Sequence, residues 1–166
     1  RHGIGNHAVI ITEPEPELCE QLRRFLDDIG YTGFSNFDVK YDQRDGKFKA
    51  FEINTRQGRS NYYVTGAGYN LAKWLVDDVI YHKDLGCTVA KNKVLWTIIP
   101  EKIIFQYVKS EKMKAEARAL IKAGKVCHSY YYEGDRSLQR WIHYKKNQFH
   151  YFEKYRRYFG NKGLRN

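Results

Sequence analysis

An α+β fold, a layer of antiparallel strands backed by helices, is what the hydrophobic periodicity of this chain predicts. Three segments carry that expectation. Residues 36–41 alternate, with Phe37, Val39 and Tyr41 on one side and Asn36, Asp38 and Lys40 on the other, the period of two that belongs to a strand. Leu18, Leu22, Phe25, Leu26 and Ile29 recur at helical spacing, and so do Leu138, Trp141, Ile142, Phe149, Phe152, Tyr155 and Phe159. With 166 residues, 42% of them hydrophobic, the chain can bury one core, as a single domain or a domain with an appendage.

The elements follow in order. Ala8-Val9-Ile10-Ile11 reads as a buried strand within 7–12, and Glu13-Pro14-Glu15-Pro16 as a helix entry with acid near the positive end of the dipole. Gly30 closes that core-facing helix. A hairpin follows, then an irregular loop from Thr55 to Gly68. A helix over 69–82, apolar on most sides, is expected to be buried. Val94–Ile99 predicts a strand ended by Pro100, and helical sequence runs from Glu101 to Ala123 with a break near Ser110. Gly124 is a C-cap, Val126–Tyr132 a short strand, and a long amphipathic helix begins at Ser137. Residues 1–99 thus form a strand-bearing subdomain and 100–166 a mostly helical extension packed on it.

The hairpin holds the chemistry. Asp42-Gln43-Arg44-Asp45-Gly46-Lys47 is rich in turn formers, and closing the chain about residue 45 sets Asp38 opposite Glu52 and Asn36 opposite Asn54. Phe37 then faces Ile53, and Val39 faces Phe51, on the apolar side. Two carboxylates opposite each other repel, so a fold that places them there normally supplies a cation. Oxygens from Asp38, Glu52 and Asn54 suit Mg²⁺ or Mn²⁺, and Mg²⁺ also keeps waters and takes phosphate oxygens. Lys40 shares the Asp38 face, where it either contacts phosphate or relieves the carboxylate repulsion. Arg56, two residues past Asn54, is placed to neutralise charge on a transferred phosphoryl group. A charged strand face that merely meets water is the competing account of the same residues.

Composition narrows the partners. Lys and Arg number 29 against 19 acidic residues, a net charge of +10 that favours polyanions. Cys19, Cys87 and Cys127 are odd in number and far apart, as in reduced cytoplasmic proteins, and Cys127-His128 lacks the spacing of a zinc site. No apolar run is long enough to span a membrane. Gly3-Ile4-Gly5-Asn6 precedes a strand and so is no dinucleotide fingerprint, and Gly66-Ala67-Gly68 lacks the Lys-Ser/Thr of a phosphate loop. The tail from Gln139 interleaves aromatic and basic residues, which can stack on bases or lie on an anionic membrane. Its helical period favours packing on the domain, which makes nucleic acid the weakest of these partners and leaves the inner membrane face as an alternative to the open cytoplasm.

Asp38, Glu52, Asn54 and Arg56 resemble the signature of the ATP-grasp ligases, an acidic or amide residue on one strand and Glu-x-Asn-x-Arg at the end of the next. Gln57-Gly58-Arg59-Ser60-Asn61 is similar to the segment that follows this motif in carbamoyl phosphate synthetase, and the run from Gly33 to Val79 resembles D-aspartate ligases, which extend peptidoglycan precursors. The resemblance implies the C-terminal subdomain of an ATP-grasp fold, with the ATP-holding parts earlier in the same polypeptide. It implies an amide-forming ligase using ATP and Mg²⁺ or Mn²⁺, with D-aspartate as acid and a lysine side chain of a cell-wall precursor as amine. Arg56 would then be catalytic, with Arg59, Ser60, Asn61 and Lys40 on phosphate or substrate. The competing class is a non-catalytic basic, aromatic module that binds nucleic acid or an anionic membrane surface.

Overall fold

A computed structural model describes residues 8–132 and 134–160; the glycines at 3 and 5 lie outside them. Among the described residues there are two small sheets. The first has the order β1-β4-β5, built from β1 (Val9–Ile11), β4 (Leu95–Thr97) and β5 (Val126–His128). β1 pairs antiparallel with β4, Ile10 opposite Trp96, while β5 runs parallel to β4, Cys127 beside Trp96. The antiparallel layer expected from sequence is therefore mixed here. The strand is parallel because α4 (Glu101–Tyr107) and α5 (Glu111–Lys122) carry the chain back before β5 begins, as a parallel crossover requires. β5 lies in the 100–166 segment, so both halves of the chain contribute to this one sheet.

β4 is the centre of the core. Leu95 and Thr97 are fully buried and Trp96 nearly so, with Ile99, Ile103, Ile104, Ala117 and Leu120 packed around Leu95. The break expected near Ser110 is real: its side chain caps α5 by accepting from the Met113 amide, and Pro100 precedes α4. Gly124, at φ 68°, takes the left-handed position just beyond α5. The long helix is α6 (Leu138–Phe159), N-capped by Ser137. Tyr151, Phe152 and Tyr155 lean on the core from one side of it, and the Gln148 amide donates to the Ile98 carbonyl at 3.0 Å. Phe152, which the helical period predicts to be largely buried, is half-buried against the core. Leu138, Ile142 and Phe149 remain exposed on the opposite side.

Two helices depart from expectation. α1 (Pro16–Asp28) has no buried residue; Phe25 makes an edge contact with Phe37 of the hairpin, and Ile29 stays exposed. α3 (Leu71–Val79) exposes Leu75, Val76 and Val79, and its one buried residue is Asp77, paired with Lys73 and, at 2.7 Å, Lys83. The apolar pattern predicts burial, but among the described residues no layer covers α3 on its outer side. Inside the expected 55–68 loop a short helix, α2 (Tyr62–Gly66), approaches β5 so closely that a Cβ at Gly66 would lie 2.3 Å from Cys127 Sγ. That contact is the reason for glycine there. Burial pushes the Cys127 thiol up to about 11, which keeps it protonated and inert.

His128 ends β5 with its Nδ1 buried and without a partner among the described residues, its ring edge-on to Tyr144. Burial lowers its pKa below the ordinary 6.5. The folded state therefore binds its proton less readily than the unfolded state, so stability is intact above that value and falls as pH drops below it. Thermal melts between about pH 7.5 and 5.5 should show a falling midpoint, and His128→Gln should flatten part of that slope.

Candidate active-site cleft

The second sheet is the hairpin of β2 (Asn36–Asp42) and β3 (Lys47–Asn54). Its turn is closed by the Gly46 amide donating to the Asp42 carbonyl at 2.9 Å, with Gly46 at φ 68°. The register is as expected at the functional end: Asn36 faces Asn54, Phe37 faces Ile53 and Asp38 faces Glu52. It slips between Asp38 and Val39, so Val39 faces Ala50, and Phe51 is not its partner. Phe51 is the extra residue of a bulge, which leaves it 69% exposed. The bulge sits directly beside the Asp38–Glu52 rung, where it bends the strand and separates the polar end from the plain ladder beyond.

The polar end opens on a cleft of about 630 Å³ between the hairpin, the 56–60 loop and the first sheet. Asn36, Asp38, Asn54, Arg56, Arg59 and Ser60 form its polar wall. Ile11, Phe37, Trp96 and Ile98 form the apolar wall, and Ser129 and Tyr130 close one end. Five of the eight residues singled out from sequence thus meet in one place: Asp38, Asn54, Arg56, Arg59 and Ser60. Glu52 is exposed on the rung opposite Asp38 and does not itself line the cleft. Lys40 lies elsewhere, across from Lys49, whose ammonium turns away to Asp45 at 2.5 Å.

Asn61 is set beneath the loop and does not line the cleft. It is only 8% exposed, and its Oδ1 has no partner among the described residues. Gly58 lies directly over it: a Cβ there would stand 2.8 Å from Asn61 Oδ1 and 3.4 Å from Asn36 Oδ1. Glycine at 58 therefore lets the loop settle on two amide side chains, which fixes where Arg56 and Arg59 emerge. Arg56 is itself steered by weak contacts, donating to Asn54 Oδ1 at 3.4 Å and to the Gln57 carbonyl at 3.3 Å. Both guanidiniums are exposed and carry unused donors into the cleft.

Sequence reasoning missed Trp96, Ser129 and Tyr130. The Trp96 indole N–H donates to Ser129 Oγ at 2.8 Å, a link across 33 residues that no local pattern announces. Tyr130 in turn shares a hydrogen bond with Tyr151 of α6, whose hydroxyl is pushed up to about 12 mainly by burial. The closing end of the cleft is thus held from the core and from α6 together.

The donor set fits a hard divalent cation that keeps part of its water. Among the described residues no three His, Cys, Asp or Glu side chains gather to hold a metal. Asp38, Glu52 and Asn54 offer two carboxylates and an amide, too few for a closed protein cage but suited to Mg²⁺, which is commonly held by one or two carboxylates plus phosphate. With Arg56 and Arg59 beside them, the cleft can receive an anion and a cation together.

Ligases and phosphoryl-transfer enzymes use anion and cation sites of this kind. The chain is 38% identical, over 161 residues, to the D-aspartate ligase of Enterococcus faecium (strain Aus0004), an alignment that takes in 94% of this chain. The chain spans 38% of the length of the enzyme it matches. No family model matches, and no solved structure matches. No described helix is long and apolar enough to cross a membrane.

Proposed function

We propose that this chain forms one wall of the active site of an ATP-grasp carbon–nitrogen ligase, which joins D-aspartate to an amine through an acyl phosphate. The convergence of Asp38, Asn54, Arg56 and Arg59 in one cleft carries this reading, and the similarity to D-aspartate ligase supports it. In such a reaction a carboxylate oxygen of the acid attacks the terminal phosphorus of ATP and ADP leaves. The amine nitrogen then attacks the acyl carbon, phosphate departs, and the proton on nitrogen is lost to water.

Asp38 and Glu52, with Asn54, would hold Mg²⁺ or Mn²⁺, which when bound neutralises charge on the phosphate oxygens. Arg56 stands beside them, where its guanidinium meets the equatorial oxygens of the transferring group. Arg59 and Ser60 grip the acid or its acyl phosphate, the first by a two-pronged hydrogen bond. Asn61 and Gly58 set the loop, and Trp96 and Ile98 exclude water that would hydrolyse the intermediate. The nucleotide's other wall would come from a separate part of the polypeptide, and the cell-wall precursor lysine is the acceptor this reading assigns.

The test is phosphate release by the natural polypeptide with ATP, Mg²⁺, D-aspartate and a lysine-bearing acceptor. Release should require all four. Arg56→Ala should lower turnover by about 10²–10³-fold, the loss typical for one group aimed at developing charge. Release that is indifferent to D-aspartate would overturn the reading.

A further inference from the structure

A second cleft, of about 1270 Å³, lies on the far side of Arg59. The two share Gly58, Arg59, Ser129 and Tyr130, so Arg59 stands at the junction with its guanidinium accessible from both. Nothing in the reading above uses this space. Its floor comes from α2 and the start of α3, and its outer wall from the first turns of α6. Here the aromatic and basic tail divides in two. Tyr151, Phe152 and Tyr155 pack on the core, whereas Arg140, Trp141, His143 and Tyr144, about two to four turns earlier, line the second cleft.

The lining has a definite chemistry. Among the described residues it carries Arg59, Arg136 and Arg140 against Asp135. Only Arg140 is engaged by that carboxylate, at 3.0 Å. Tyr62, Tyr130, Tyr131, Tyr132, Trp141 and Tyr144 supply ring faces, with Trp141 51% exposed. Guanidiniums with free donors select carboxylates or phosphates, and exposed rings stack on planar or sugar groups. The volume exceeds the ~300–1,000 Å³ typical of a small-molecule pocket, which is far more than one amino acid fills.

We infer that this second cleft binds the amine-bearing substrate of the ligase: an extended, anionic molecule whose carboxylates or phosphates rest on Arg136 and Arg140, whose rings or peptide planes lie on Trp141 and the Tyr130–Tyr132 run, and whose amine reaches the first cleft past Arg59. This rests on the ligase reading for the identity of the partner, but the anion site stands on its own lining. The junction explains why Arg59 belongs to both clefts. It meets the activated acid on one side and the body of the acceptor on the other, so the two reacting ends are brought into one place by a single residue.

The anionic body has two sources, a peptide's carboxylates or the diphosphate of a sugar nucleotide, and two probes separate them. One is a short peptide with a single lysine and two glutamates; the other is UDP-N-acetylglucosamine. Binding of each to the natural polypeptide is measured by calorimetry, in wild type and in Arg136→Ala/Arg140→Ala and Trp141→Ala. At least one probe should bind, and each set of substitutions should weaken it about tenfold or more, while Mg-ATP affinity stays unchanged. The probe that binds names the source. Wild-type binding of neither probe, or equal binding by wild type and variants, overturns the proposal. If the probes bind as expected but no D-aspartate-dependent phosphate release is found, the ligase reading fails while the anion cleft stands. Steady-state kinetics add a separate check: KM for the lysine-bearing acceptor should rise and KM for D-aspartate should not.

Discussion

Glu52→Gln should lower turnover of the natural polypeptide by about 10²-fold or more while leaving the melting temperature unchanged or raised. The reasoning starts from the rung. Glu52 faces Asp38 with no cation of the protein between them, and no ion pair to Glu52 exists among the described residues. Like charges directly opposite on a strand pair destabilise it, so an amide of the same shape removes a repulsion and costs the fold nothing. The same change removes one of two carboxylates available to a divalent ion, which should raise the Mg²⁺ concentration needed for half-maximal rate. A rate loss that excess Mg²⁺ partly restores is the expected signature. Unchanged turnover at limiting Mg²⁺ would leave Glu52 as a solvent-facing charge.

Trp96→Ala should have the largest effect on stability, about 3–5 kcal/mol, the range for deleting a buried large aromatic side chain. Trp96 is 1% exposed, is flanked by Leu95 and Thr97, which are fully buried, and lies between Ile10 of one neighbouring strand and Cys127 of the other. Its loss would leave a cavity at the centre of the three strands. It would also release Ser129, and with it the Tyr130 end of both clefts. Trp96→Phe separates the two roles. It keeps most of the packing but not the indole N–H, so it should cost less stability and still disturb substrate KM. Denaturant unfolding together with KM measurements on both variants provides the check.

Much of this arrangement was legible in the sequence, and the reasons differ by element. The polar end of the hairpin was readable because its register depends on a turn of ordinary chemistry and a strict period of two: Asn36–Asn54 and Asp38–Glu52 pair as expected. The Val39–Phe51 pairing failed because a bulge inserts one residue without altering the apolar pattern on either side. The helix ends at Ser110, Gly124 and Ser137 were fixed by local caps. Burial was not. The apolar α3 stands exposed and the tail's aromatics divide between core and cleft, since which side of a helix is covered depends on neighbours distant in sequence. Ser129 and Tyr130 were out of reach for the same reason: their place at the cleft comes from β5 joining β4 in parallel, through a connection of two helices.

The account turns on whether a divalent cation sits at the Asp38–Glu52 rung, and Mn²⁺ can report this directly. Paramagnetic broadening of backbone amide signals, recorded on the natural polypeptide with Mn²⁺ and ATP, should be strongest at Asp38, Glu52 and Asn54 and weak at the Asp42–Asp45 turn. Glu52→Gln should shift its onset to higher Mn²⁺. Broadening centred on the turn, or equal throughout the acidic surface, would contradict a metal site at the rung.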